Sequence, residues 1–200
     1  MKLFFISDLH GCLKATKTAL KHFERSEAEH LILLGDVLNH GPRNPIPVSY
    51  DPVQVAQLLN QYKTHIIAVR GNCDSEVDQM LLEFPIMSDY TVVLLDSGSK
   101  LFLTHGHIYN QQHLPLLNAG DVLCHGHSHI PQAAWVGEHF IFNPGSTTFP
   151  RGQIEASYGL YEGEVFRVCK LNGGEEILSG QYKYTQVTSR CRIQSYHPNL

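Results

Sequence analysis

The chain has 200 residues, 42% hydrophobic and 17% charged, with a formal net charge of -4. That length suits one ordinary domain with a real core, and the composition excludes a disordered or collagen-like chain. The acidic balance gives no basic stripe to neutralise a nucleic-acid backbone, so nucleic acid is not an expected partner; a small anionic substrate stays open, because a bound cation can supply positive charge locally.

The first elements alternate. Leu3–Ile6 is a predicted buried strand, and Leu13, Thr16, Leu20 and Phe23 recur at helical spacing. Leu31–Leu34 is a second strand; Val53, Ala56, Leu59 and Tyr62 mark a second helix; His65–Val69 is a third strand. This β-α-β-α-β pattern is followed by a predicted helix over Ser75–Phe84, with Ser75 as its N-cap and Pro85 at its stop. The second half changes to strand pairs around turn residues: Val92–Leu95 with Lys100–Thr104, Ala133–Val136 with His139–Phe142, and Ser157–Tyr161 with Val165–Leu171. A mostly parallel half followed by hairpins predicts two sheets packed face to face with helices outside. The expected class is therefore α/β, a four-layer α-β-β-α sandwich of two mixed β-sheets. One domain is expected over residues 1–180, and residues 181–200, where periodicity fades, form an expected poorly ordered C-terminal tail.

The five cysteines are odd in number and form no C-x-x-C pair, which excludes a disulfide framework. No run approaches the roughly 20 apolar residues of a membrane span, and the first strand leads at once to Asp8 and His10 without a signal-peptide core. A cytoplasmic location without a membrane partner is expected. Exposed hairpin edges leave homo-oligomerisation open.

The unusual count is 13 His. His22, His65, His139 and His197 are expected at the surface, but others fall in polar clusters after apolar strands: Asp8-Leu9-His10, Gly35-Asp36, Gly71-Asn72-Cys73-Asp74, His105-Gly106-His107, and His125-Gly126-His127-Ser128-His129. Singly, each has an ordinary explanation as a cap, an Asx-turn or a surface residue. Together they place carboxylates, an amide and imidazoles at successive strand ends, where sheets of this kind gather ligands. Mixed N and O donors without thiolate suit Mn²⁺, Fe or Zn²⁺ better than Ca²⁺ or copper.

These ordered blocks, D-x-H, G-D, G-N, H and G-H-x-H from Asp8 to His129, resemble the calcineurin-like metallophosphoesterase family. Gly35–Arg43 and Arg70–Asp74 resemble its small bacterial phosphodiesterase branch, and the likeness spans about residues 1–170. The resemblance implies two divalent cations, Mn²⁺ first, with Zn, Fe, Ni or Mg as alternatives. Asp8, His10, Asp36 and His129 would hold one; Asp36, Asn72, His105 and His127 would hold the other, with Asp36 bridging. A water activated between them would attack a small phosphodiester in line, Asp36 and Asn72 shaping the charge at the reacting centre. A phosphomonoesterase, or a noncatalytic protein-binding scaffold of the same fold, is the alternative.

The chain departs from the family pattern in two places. Many relatives carry His after the Asn as the group that protonates the leaving alkoxide, and here that place is Cys73, a poorer proton donor at neutral pH. Weak monoester activity is expected, with Cys73 or His107 as candidate proton donors. Where phosphatase relatives show G-D-x-x-D-R-G, this chain has Asn39 and His40, so His40 and Arg43 are the expected substrate contacts. Cys12 and Cys124 are expected to pack and Trp135 to fill a hairpin face; Asn143-Pro144-Gly145-Ser146 follows a strand and could approach the site, with a plain turn the favoured reading.

Overall fold

The computed structural model describes residues 1–183. It opens on β1 (Lys2–Ile6), α1 (Leu13–Ser26), β2 (His30–Leu33), α2 (Pro52–Asn60) and β3 (Ile66–Ala68). The three strands run parallel, with Phe4 opposite Leu31 and Ile32 opposite Ile67. Successive side chains point to opposite faces. Phe4, Ile6, Leu31 and Leu33 therefore meet Ala19, Leu20, Phe23, Val55 and Leu59 of the helices. Leu3, Phe5, Ile32 and Leu34 enter a second core. Burial on both faces is why these strands are continuous apolar runs in the sequence. Helix α2 starts on Pro52, where a missing N–H costs nothing, and the Asp51 carboxylate accepts the Gln54 N–H at 3.0 Å.

The helix expected over Ser75–Phe84 is a single turn, α3 (Glu76–Gln79). The Asp78 carboxylate accepts the Ser75 N–H at 2.8 Å and so starts the turn. The Gln79 side chain ends it, donating to Leu82 O and Phe84 O and accepting from Ile86 N. The chain wraps around that amide, and Leu82, Phe84 and Ile86 enter the core at every second residue, a spacing no helix supplies.

The remaining strands are β4 (Tyr90–Leu94), β5 (Lys100–Thr104), β6 (Val122–Cys124), β7 (Gln132–Val136), β8 (His139–Asn143), β9 (Ser157–Glu162), β10 (Val165–Lys170) and β11 (Glu176–Gln181). The hairpins β4/β5, β7/β8 and β9/β10 are as expected. One sheet has six strands in the order β11-β10-β9-β1-β2-β3; the other has five, β4-β5-β6-β8-β7. Both are mixed, and they pack face to face through Leu3, Phe5 and Leu34 against Leu101, Leu103, Phe140 and Phe142. Helices cover the six-stranded sheet. On the outer face of the other, Phe102, Leu123 and Ile141 are covered by Tyr109 and Leu117 of a segment that contains no helix.

Strand β11 was not foreseen, and Gln181, expected in the tail, closes it. Tyr182 follows as a buried residue, stacked on Trp135 with ring centroids 5.7 Å apart and donating to Gly120 O. The rest of the expected tail, residues 184–200 with His197, lies outside the described residues.

Candidate metal centre

The loops after β1, β2, β3, β5 and β6 carry the five polar clusters. Their backbone is the first sign of a specialised site. Eight described non-glycine residues have positive φ, and five of them are expected ligands: Asp8 (55°), His10 (47°), Asp36 (54°), His127 (60°) and His129 (60°). A side chain held in this left-handed region costs on the order of 1–3 kcal/mol and persists only where its surroundings fix it. Close backbone approach does the fixing. A Cβ on Gly71 would lie 2.1 Å from Asp36 Oδ1, and one on Gly126 would lie 1.9 Å from Ser7 Oγ and 2.8 Å from Asp8 Oδ2.

The side chains converge. Asp8 Oδ1 is 3.1 Å from His129 Nε2, 3.8 Å from His10 Nε2 and 4.0 Å from His105 Nε2. Asp36 Oδ2 is 3.7 Å from His10 Nε2 and 3.5 Å from His105 Nε2. His105 Nε2 in turn lies 3.2 Å from both Asn72 Oδ1 and His127 Nδ1. Atoms each about 2.0–2.2 Å from one ion are separated from one another by roughly 3–4 Å. Asp8, His10 and His129 form one such cluster, and Asp8, Asp36 and His105 another.

The far side of each ring is anchored. His10 Nδ1 bonds Asn39 O at 2.9 Å, His105 Nδ1 bonds Leu34 O at 2.6 Å, and His129 Nδ1 bonds Phe149 O at 2.6 Å. A carbonyl only accepts, so each Nδ1 carries a proton and each Nε2 is turned to the centre, where it can offer a lone pair once deprotonated. Asp8 is similarly divided. Its Oδ2 accepts from Ser7 Oγ at 2.7 Å and His127 N at 3.1 Å, while Oδ1, like His10 Nε2, is buried with no hydrogen-bond partner. Two such atoms would each cost about 1–3 kcal/mol if left unsatisfied. A cation between them satisfies both, so the residues present fit a metal ion.

Protonation in the metal-free centre follows from its crowding. Burial pushes the Asp8 carboxyl up, but the His129 and His105 imidazoles outweigh it and hold it below the ordinary carboxylate range. Asp36 is depressed in the same way, burial being outweighed by His105 and by the Cys73 N–H that donates to Oδ1 at 2.8 Å. For His105, burial alone would lower basicity, but the carboxylates of Asp36 and Asp8 push it up to about 9. His10 and His127 are lowered, mainly by burial.

Other expected residues differ in placement. The Cys73 sulfur lies close enough to His10 and Asp36 to share an ion with them, and in the metal-free centre burial and the Asp36 charge push its thiol up, so that it stays protonated there. His107 sits beside His105 and His127, at ring-centroid distances of 5.4 and 6.3 Å, outside the main cleft. His40 does not line the cleft as a substrate contact would; its ring packs edge-on against Tyr50 at 5.4 Å. Arg43 does line it, a cleft of about 480 Å³ walled also by Asp36, Asn72, Cys73, His127 and His129. His22, expected at the surface, is half-buried, bonded to Leu171 O and stacked on Tyr158.

Three contributions escaped the sequence reading. The Asp74 carboxylate accepts the N–H groups of Asp36, Val37 and Gly71 at 2.9, 2.8 and 2.7 Å, tying the β2 and β3 loops together. The expected plain turn at Asn143–Ser146 also supports the site. Ser146 Oγ donates to Asp8 O, and Thr148 Oγ1, just beyond, to Leu9 O. Arg151, whose N–H bonds His129 O, brings a second guanidinium to the cleft. A Gly-Asn-x-Asp spacing hints at an Asx-type bridge for Asp74, but its partners 37 and 38 positions away are invisible in one dimension.

A family model for the calcineurin-like phosphoesterase superfamily domain matches residues 1–164, and the chain belongs to that superfamily. Membership supports phosphoester hydrolysis with divalent metal ions, for which the buried N/O cluster offers the ligands. Among its relatives, the chain is 54% identical over 172 residues to the phosphodiesterase YfcE of Escherichia coli strain K12, covering 86% of this chain and 93% of that one. It is 31% identical over 169 residues to the probable metallophosphoesterase YsnB of Bacillus subtilis strain 168, covering 80% and 83%. The solved structure of E. coli YfcE matches with a TM-score of 0.90 at 51% identity, over 92% of this chain and 100% of that chain. Vps29 of Chaetomium thermophilum, at 18% identity and TM-score 0.60 over 95% and 100%, shares the fold. No helix among the described residues is long and apolar enough to cross a membrane.

Proposed function

We propose that this chain hydrolyses phosphodiester bonds of small molecules in the cytoplasm at a dinuclear metal centre. Asp8, His10, Asp36 and His129 would hold one cation and Asp36, Asn72, His105 and His127 the other, with Mn²⁺ the preferred ion. When bound, such a pair supplies Lewis acidity to the phosphoryl oxygens and acidifies water. The protein's part is orientation and charge. Carbonyls at Nδ1 hold three imidazoles in one tautomer. Asp36 Oδ2 lies between His10 Nε2 and His105 Nε2 while Cys73 N pins Oδ1. Neutral Asn72 limits the negative charge, so that with the arginines at the rim an anionic ester is still drawn in.

Cys73 occupies the place from which a leaving alkoxide would receive a proton, and its raised thiol gives one up reluctantly. Esters with good leaving groups therefore suit the site better than those that must release an alkoxide.

The observation that carries this reading is the buried pair Asp8 Oδ1 and His10 Nε2, without hydrogen-bond partners amid ligand residues held at positive φ. The test compares bis(p-nitrophenyl) phosphate with p-nitrophenyl phosphate, using chelator-stripped protein with Mn²⁺, Zn²⁺ or Mg²⁺ restored. Metal-dependent turnover with the diester preferred is expected. Equal or better monoester turnover would favour a phosphomonoesterase, and no turnover with any ion would leave the scaffold reading.

A further inference from the structure

Besides the two clusters of imidazole and carboxylate, a third group of ligand atoms within 4.8 Å of one another joins His10, Asp36 and Cys73. Its sulfur is a soft donor in a centre otherwise made of nitrogen and oxygen. His10 and Asp36 both belong to the set proposed for one cation, with Asp8 and His129, so Cys73 would stand as a fifth ligand of that ion. His10 is fully buried, and its Nε2 has no hydrogen-bond partner. Cys73 is only half-buried and lines the main cleft.

Three contacts set the position of that sulfur. Cys73 N donates to Asp36 Oδ1 at 2.8 Å, which fixes the backbone from which the side chain starts. The Asn72 amide donates through Nδ2 to Cys73 Sγ at 3.2 Å, while its Oδ1 stands 3.2 Å from His105 Nε2. One amide thus serves both clusters, its oxygen facing the ligands of one ion and its N–H supporting the sulfur beside those of the other. An N–H aimed at sulfur suits a thiolate, the form in which cysteine binds metal. Gly41, at φ 75°, comes so close that a Cβ there would lie 2.8 Å from Sγ.

We propose that Cys73 Sγ becomes a ligand of this cation when the ion is thiophilic, Zn²⁺, Co²⁺ or Cd²⁺, so that the centre ranks ions by softness. This rests on the metal-centre reading above. A Zn–S bond of about 2.3 Å is longer than the Zn–N and Zn–O bonds of about 2.0–2.2 Å, so sulfur can bind from the outer limit of such a cluster. The S–H bond breaks, its proton leaves to solvent and a sulfur–metal bond forms, with no change of oxidation state. Mn²⁺, a harder ion, gains little from sulfur and keeps to the nitrogen and oxygen donors.

The test loads chelator-stripped protein with Co²⁺ and records its absorption spectrum. Wild type is expected to show a thiolate-to-cobalt charge-transfer band in the near ultraviolet, beside the weaker visible bands of Co²⁺ held by nitrogen and oxygen. Cys73→Ser and Cys73→Ala should lose the first and keep the second, and Tm reports that each variant stays folded. Competition titrations should show Zn²⁺ affinity down about tenfold or more in both variants, with Mn²⁺ affinity within about threefold of wild type. Wild type that binds Co²⁺ without the charge-transfer band overturns the sulfur ligand and leaves the metal centre standing. A band that survives in either folded variant, or equal losses of Zn²⁺ and Mn²⁺ affinity, does the same. Failure to bind Co²⁺, Zn²⁺ or Mn²⁺ overturns the centre and the sulfur ligand with it.

Discussion

The loops at the centre and the loops at the rim are built by different means. At the centre, Asp8, Asp36, His105 and the carboxylate of Asp74 are buried and bonded across long stretches of sequence. At the rim, the 39–44 turn has one long-range tie, His10 Nδ1 to Asn39 O, and is otherwise held by short-range bonds, Gly41 N to Asn39 Oδ1 and Asn44 Nδ2 to His40 O, while Asn110 holds the 106–113 segment in the same local way. Cross-linked, strained loops fix ligand geometry, whereas locally tied loops can change side chains without disturbing it. On the proposed reading, chemistry would belong to the first and substrate choice to the second.

The sharpest way to break that contrast is Asp36→Ala, since its Oδ2 lies 3.7 Å from His10 Nε2 and 3.5 Å from His105 Nε2, between imidazoles proposed to hold different ions. Loss of kcat/KM by at least about 10³-fold is expected, together with loss of both cations. Elemental analysis of the purified variant checks the second point. Retention of one tightly bound ion would show that Asp36 is not shared.

Asp74→Ala comes next. It touches neither cluster, yet it would strand the N–H groups of Asp36, Val37 and Gly71. With about 1–3 kcal/mol per stranded group and incomplete additivity, a stability loss of roughly 3 kcal/mol or more is expected in urea. Mn²⁺ affinity should fall about 10–100-fold, as for other groups that orient ligands. If stability fell while affinity held, Asp74 would support the fold and not the centre.

Much of the fold and the centre was legible in the sequence, for a physical reason. Strands β1, β2, β5 and β6 are buried on both faces, so they stand out as apolar runs, and the ligand blocks must follow them directly. What escaped depends on contacts distant in sequence or on single side chains. Gln79 converts an amphipathic stretch into one turn and an alternating strand-like run. Strand β11, partly exposed and polar, gains its identity only by pairing with β10. His40 stands where the resembling motif carries a phosphate-gripping Arg, but its ring packs on Tyr50, ten positions away in the chain.

The pH dependence of metal loading sharpens the electrostatic side of the contrast. In the metal-free protein the His105 imidazole is raised from 6.5 to about 9. A folded-state value above the unfolded one gives stability that is fully present below pH 6.5 and lost as pH rises through about 9. Metal must displace that proton, so Mn²⁺ affinity should rise up to about tenfold per pH unit across the window and then level off. Calorimetric titrations in buffers of different ionisation enthalpy would count the protons released. Affinity independent of pH between 7 and 9 would place His105 outside the coordination sphere.

Cys73→His tests the border between centre and rim. An imidazole there can hand a proton to an alkoxide near neutral pH, which the raised Cys73 thiol does poorly. Turnover of monoesters with poor leaving groups should increase about tenfold, below the roughly 10²–10⁴-fold scale of optimised general acids. Esters that release p-nitrophenolate should change little, because that leaving group needs no proton. An equal gain for both ester types would mean that the imidazole binds phosphate instead.

The smallest expected effects are at the arginines. Arg43 and Arg151 line the cleft but form no ion pair with a described carboxylate, unlike Arg70 with Asp89 or Arg167 with Glu176. Solvent screens such exposed charges, so each should contribute at most about 1 kcal/mol to holding an anion. Arg43→Gln and Arg151→Gln should then raise KM only about threefold to fivefold, and the effect should shrink as salt rises. A salt-independent loss of 100-fold or more at Arg151 would show that the rim grips the reacting phosphate directly. In that case the division between a fixed centre and an adjustable rim would have to be redrawn, with Arg151 joining His129, to whose carbonyl its backbone is already bonded.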